Sequence, residues 1–139
     1  MSDYRIVYYS ENKIRGTSSD LSSEINRILI SSRRNNELVG VTGALMFSAG
    51  FFGQVLEGSQ AAIETTFERI QQDPRHGDVI LLEFSPILSR TFEKWSMAFV
   101  GRPEDRIIGW DSNFDVKALT SETLLARLHE LVANTDRPL

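Results

Sequence analysis

Apolar and polar residues alternate over Tyr4 to Tyr9, which predicts a strand with Tyr4, Ile6 and Tyr8 on one face. From Ser19 or Asp20 the period lengthens to that of a helix. Leu21, Ile25, Ile28, Leu29 and Ser32 fall on one stripe, Asp20 is a candidate cap, and Asn35, Asn36 and Gly40 read as the end. Val41 to Phe47 and Phe51 to Glu57 read as strands joined at Ser48-Ala49-Gly50, a hairpin-like signal. A second helix follows Gly58, with Ala62, Ile63, Thr66, Phe67 and Ile70 as its apolar face. Asp73 to Asp78 is a turn, Val79 to Phe84 a strongly apolar strand, and Trp95 to Gly101 the last strand. A polar, proline-containing segment from Arg102 to Asp115 leads to an amphipathic helix near Ser121 to Val132.

This order predicts an α+β fold, a ferredoxin-like β-α-β-β-α-β-β sandwich with two helices on one face of a mixed five-stranded sheet, plus a C-terminal helix. The division expected is a core of residues 1–101 and an extension of residues 102–139 that packs on or near the sheet. The last helix either covers the face left bare by the other two or presents a partner surface. Neither an internal repeat nor a low-complexity tract interrupts the chain.

Composition removes several functions. With 139 residues, 41% hydrophobic and 24% charged, the chain has the size and balance of one soluble domain. A formal charge of -4 and a pI near 5.2 leave no basic stripe for nucleic acid. No apolar run approaches the ~20 residues of a membrane span, and no signal-peptide core opens the chain, so a cytoplasmic location without membrane contact is expected. The absence of cysteine excludes disulfides, thiolate zinc sites and cysteine nucleophiles, and His76 and His129 alone make a poor metal cluster.

Chemistry concentrates on strand-like segments. Tyr8, Gln54, Trp95 and Met97 bring a phenol, a carboxamide and a redox-soft pair to RIVYYS, FFGQVLEGS and FEKWSMAF. A phenol can give an electron and a proton, while a primary amide donates and accepts hydrogen bonds at once. Parity puts Phe52, Gln54 and Leu56 on one side of their strand, and Trp95, Met97 and Phe99 on one side of theirs. If those sides face the helices, Tyr8, Gln54 and Met97 share a layer. Each residue also has a plain reading: Tyr8 as core with a wet hydroxyl, Gln54 as an amide satisfied by backbone or facing water, Trp95 and Met97 as core filling.

Five motifs in order carry a resemblance: Tyr8 in its strand, RRNN then GVTGAL within Arg33 to Leu45, QVLEG at Gln54 to Gly58, DPRH at Asp73 to His76, and WSM at Trp95 to Met97. From Tyr4 to Val100 the chain resembles a BLUF domain, the family of flavin-binding blue-light sensors. The resemblance implies a non-covalent FAD or FMN in residues 1–101; without cysteine, a cysteinyl-flavin adduct is excluded. Ile28 and Phe52 would wall an apolar slot between the helices. Gln54 would address N5 and C4=O with Tyr8 on its other side. Asn36 would pin the C4=O and N3-H edge with Asn35 as helper, although asparagine also suits simple helix termination. Arg75 would approach C2=O with His76 beside it, where an arginine in such a turn is ordinarily solvated. Arg27, Arg33 and Arg34 either meet a flavin phosphate or form a solvated helix face. Two positions depart from the family pattern: Gly53, where a bulky residue is common, and Tyr9, where a smaller one is.

The activity implied is photoreception, not enzymology. Tyr8 gives an electron to the light-excited flavin, a proton follows through Gln54, and recombination leaves the amide rearranged, by rotation or tautomerisation, with a stronger bond to C4=O. Either Trp95 or Met97 lies nearest the flavin as an environment-dependent switch, and Trp95 is also a competing donor. No cyclase, phosphodiesterase or kinase segment follows, so output is expected through the last strand and the helix bearing Leu124, Leu125, Leu128 and Leu131, toward a separate protein partner or within a homodimer. Two rival readings share the fold. An acylphosphatase-like hydrolase needs a phosphate cradle after the first strand, which Ser10 to Gly16 only loosely resembles; a flavin-free interaction or small-ligand module needs only packing.

Overall fold

The computed structural model describes residues 3–13, 18–48, 51–93, 95, 97–100 and 120–135. The elements run β1 (Asp3–Asn12), α1 (Ser18–Val39), β2 (Thr42–Ser48), β3 (Phe51–Gly58), α2 (Gln60–Gln71), β4 (His76–Ile87), β5 (Ala98–Val100) and α3 (Ser121–Thr135). The sheet order is β4-β1-β3-β2-β5; the first four strands are antiparallel, and β5 joins β2 in parallel. An α+β architecture is thus in place.

Strand alternation sorts the apolar residues into two layers. Ile6, Tyr8, Leu45, Phe47, Phe52 and Leu56 face α1 and α2, where they meet Ile25, Ile28, Leu29 and Ile63. Val7, Ala44, Met46 and Val55 face the other way and are covered by Leu124, Leu128 and Val132 of α3, together with Phe92.

Several boundaries differ from the sequence expectation. Asp20 lies in the first turn of α1 rather than at its cap, because the helix begins at Ser18. At the other end α1 runs through Asn35 and Asn36. Gly40 stops it with a φ of 71°, and the amides of Gly40 and Val41 bond the carbonyls of Glu37 and Asn36. That pattern is a Schellman motif, for which only glycine takes the left-handed angle freely. Asn36 is therefore not the terminator. β4 extends beyond Val79 to Phe84 in both directions, because β1 is long enough to pair with it from Asp3 to Asn12. β5 is shorter than Trp95 to Gly101: Trp95 and Met97 precede it. α2 is capped by Ser59, whose hydroxyl accepts the Ala62 amide at 3.3 Å.

Two glycines are needed for close approach. A Cβ on Gly43 would fall on the Val55 carbonyl of the neighbouring strand. Gly53 faces α3, and a Cβ there would stand 3.0 Å from a Leu124 methyl and 3.2 Å from Met46 Cε. The missing side chain at Gly53 thus leaves room for α3.

Candidate functional site

Tyr8 and Gln54 are direct cross-strand partners on β1 and β3, and Leu45 is opposite Gln54 on β2. The Tyr8 hydroxyl donates to Gln54 Oε1, and Gln54 Nε2 points at the Met97 sulfur 3.6 Å away. All three side chains are buried. The phenol packs on Phe67 of α2 with ring centroids 5.3 Å apart. Burial first, and the negative charge of Asp73 second, push the Tyr8 pKa well above that of an ordinary phenol, so the hydroxyl keeps its proton.

Gln54 opens onto a cleft of about 370 Å³ between α1 and α2. Ile28, Leu45, Ile70 and Met97 supply apolar wall, and Asn35 and Asn36 project from the last turns of α1. Asn36 is buried although polar, and it borders the cleft. Phe52, expected in the wall, lies deeper, with its ring 5.1 Å from that of Phe47; Leu45 takes the wall position. Arg75 lines the cleft, but Asp73 grips its guanidinium at 2.6–3.1 Å and Glu24 adds a contact at 3.4 Å. The Asp73 hydrogen bonds, above all, raise the Arg75 pKa. His76 opens β4 opposite Asn12, and its side chain lies outside the described residues.

Trp95 and Met97 do not share a side. Met97 belongs to the layer under α1 and α2, whereas Trp95 packs against the far-face layer under α3. Both precede β5, so pleat alternation does not govern them; backbone bonds from Trp95 N to Phe92 O and from Gly43 N to Trp95 O fix the turn instead. Met97 is the member beside Gln54. Arg33, expected on a solvated face, is half-buried, and its Nε donates to the Met97 carbonyl at 3.1 Å. Burial lowers its pKa.

Sequence reasoning passed over Thr66, Arg69 and Asp73, all of which border the cleft. The helical spacing of Thr66, Arg69 and Ile70 on α2 carries that signal. The phosphate cradle of the hydrolase reading is not supported by Ser10 to Asn12, which are paired β1 residues; Ile14 to Gly16 lie outside the described residues. Among the described residues no cluster of three acidic, histidine or cysteine side chains is suited to a metal, and no helix is long and apolar enough to cross a membrane.

Residues 4–98 match the family model for BLUF, sensors of blue-light using FAD. The chain belongs to the BLUF family. It is 33% identical over 75 residues to the photoactivated adenylate cyclase subunit beta of Euglena longa, and 40% identical over 68 residues to that of Euglena gracilis. Those stretches cover 53% and 49% of this chain but only 9% and 8% of the cyclase subunits. Among solved structures, the dark state of BlrB, a BLUF protein, matches with a TM-score of 0.79 at 28% identity, covering 96% of this chain and 97% of BlrB. The ground state of BlsA matches at 0.80 and 31% identity, covering 94% and 87%. A BLUF domain is a flavin-using light sensor and not itself an enzyme. The cleft fits that cofactor: a flat heterocycle with one polar edge needs apolar walls and a few polar partners, and Gln54, Asn35 and Asn36 are among the polar side chains that line it beside Ile28, Leu45, Ile70 and Met97.

Proposed function

We propose that this BLUF sensor signals by light-driven proton-coupled electron transfer from Tyr8, relayed by Gln54. The observation that carries the reading is the buried bond from the Tyr8 hydroxyl to Gln54 Oε1, with the same amide opening onto the cleft. When bound, FAD or FMN supplies the blue-light absorption and the electron-accepting ring. Tyr8 gives up an electron and its phenolic proton, Gln54 passes the proton on, and recombination returns both to Tyr8. The amide is left rearranged, with a stronger hydrogen bond toward the C4=O position. Asn36, with Asn35, holds the C4=O and N3-H edge; Ile28 walls the slot; Phe52 packs in the core layer behind it. Arg75 serves the C2=O side through its Asp73 anchor, with His76 next to it.

Trp95 and Met97 report the state of the amide. Met97 sits on Gln54, and Trp95 sits two residues back on the α3 side, so a shift in one drags the other just ahead of β5. Output passes from the 1–101 core, a ferredoxin-like arrangement extended to five strands, into the 102–139 extension and its α3, and then to a separate protein partner or a second copy of the chain in the cytoplasm. Burial of Leu124, Leu128 and Val132 against the sheet supports this route, since the helix cannot ignore a change beneath it.

The test is the visible spectrum of the purified protein before and after blue light. A yellow protein with a reversible red shift is expected. A colourless protein that cannot be reconstituted with flavin would remove the reading.

A further inference from the structure

From the structure we infer that Glu57 is a positioning residue for Met97: its buried carboxylate clamps the segment that carries Met97 onto the strand that carries Gln54. The inference rests on the photoreceptor reading for its consequence, though not for its geometry. Glu57 lies three residues beyond Gln54 on β3, points to the far face, and is fully buried. A glutamate in an apolar strand is costly there unless every lone pair is met. Here Oε2 accepts Arg5 Nε at 2.9 Å, Arg5 Nη2 at 2.8 Å and the Thr91 amide at 3.0 Å, while Oε1 accepts the Phe92 amide at 2.8 Å. Arg5 Nη2 also donates to the Thr91 hydroxyl at 2.9 Å.

These bonds fix the start of a stretch whose other end touches the photoactive amide. Phe92 is buried under α3, its carbonyl accepts the Trp95 amide, and the Trp95 carbonyl accepts the Gly43 amide of β2. Two residues later the Met97 carbonyl takes Arg33, and the Met97 sulfur meets Gln54. Thr91 and Phe92 are thus pinned to β3 by Glu57 on the far face, and Met97 meets the same strand through Gln54 on the near face. Glu57 touches neither Tyr8 nor the cleft, so its effect is on where Met97 rests and on how readily the stretch moves when the amide changes.

The measurement is the ¹³C-methyl methionine NMR spectrum of the full chain in the dark, with and without flavin, Met97 being assigned through Met97→Leu. Glu57→Ala is expected to shift the Met97 methyl resonance toward that of a mobile methionine while Met46, on β2, stays put. In the holoprotein it is also expected to change the dark-recovery rate by at least about threefold while leaving a red shift. Glu57→Gln, which keeps an acceptor for the Phe92 amide, should fall between wild type and alanine; the unmoved Met46 methyl separates this from a general loosening of the fold. If Glu57→Ala does not fold, Arg5→Lys, which keeps the charge but loses the two-nitrogen grip, is expected to shift the same resonance. An unmoved Met97 methyl in a folded Glu57 or Arg5 variant overturns the clamp. Because the resonance is read without flavin as well, a wild type that binds no flavin would defeat the photoreceptor reading and leave the clamp tested.

Discussion

Replacing Tyr8 by phenylalanine deletes one oxygen from a fully buried side chain and leaves the rest of its packing in place, including the ring on Phe67. The hydroxyl's bond to Gln54 Oε1 is lost. A buried hydrogen bond is worth about 0.5–1.5 kcal/mol net, and an acceptor left without its donor costs about 1–3 kcal/mol, so the dark protein should lose about 1–2 kcal/mol. For a chain of 139 residues, with an unfolding entropy near 2.1 cal/mol/K per residue, that is a drop in Tm of about 3–7 °C. Flavin binding should survive, since Tyr8 does not line the cleft. The assay is a dark thermal melt of the holoprotein beside a light-minus-dark spectrum, with Tyr9→Phe as control because Tyr9 packs on the far-face layer. The expected result is a yellow Tyr8→Phe protein with a lowered Tm and no red shift, and a normal shift in Tyr9→Phe. A normal red shift in Tyr8→Phe would refute the electron and proton donor.

Three further outcomes follow from the same geometry. Gln54→Leu removes the acceptor of the Tyr8 hydroxyl, a bond worth about 0.5–1.5 kcal/mol, and should bind flavin without the native photoproduct; a native-like difference spectrum would count against the relay. Gly53→Val drives a side chain into Leu124 and Met46 and should cost about 1–3 kcal/mol in a urea titration, with Leu124→Ala recovering part of it; an additive double mutant would show that α3 is not seated there. Alkaline stability should also depend on Tyr8. Its folded pKa is raised by burial and by Asp73, so its contribution is complete below the unfolded value of about 10 and is lost as pH rises above that toward the folded pKa. Urea midpoints measured from about pH 8 to pH 11 should therefore fall less steeply for Tyr8→Phe than for wild type, and parallel declines would contradict this.

The periodicity of the chain carried most of the frame. Helical stripes and strand parity placed both core helices and put Tyr8 and Gln54 on one face, because a buried face repeats every two residues in a strand. Parity failed at Trp95 and Met97, which lie in a turn held by backbone bonds that leave no periodic trace. Asn35, Asn36 and Gly40 together mark the helix end in the sequence, because asparagine and glycine both favour such ends, and of the three it is Gly40 that supplies the angle. Least legible were the partners of charged groups: Arg33 on Met97, Arg75 on Asp73, and Glu57 on Arg5 and two backbone amides all join residues distant in sequence or ordinary as surface charge. The motifs marked the segments, whereas the pairings needed the fold.

The central claim is that blue light strengthens the hydrogen bond that the Gln54 amide makes to the flavin carbonyl while Tyr8 stands on the amide's other side. Light-minus-dark infrared difference spectroscopy of the flavin-loaded chain reads that bond directly. The C4=O stretching band should move to lower frequency on illumination, recover in the dark, and stay still in Gln54→Leu. A band that does not move in the wild type, or that moves equally without the amide, would contradict the account.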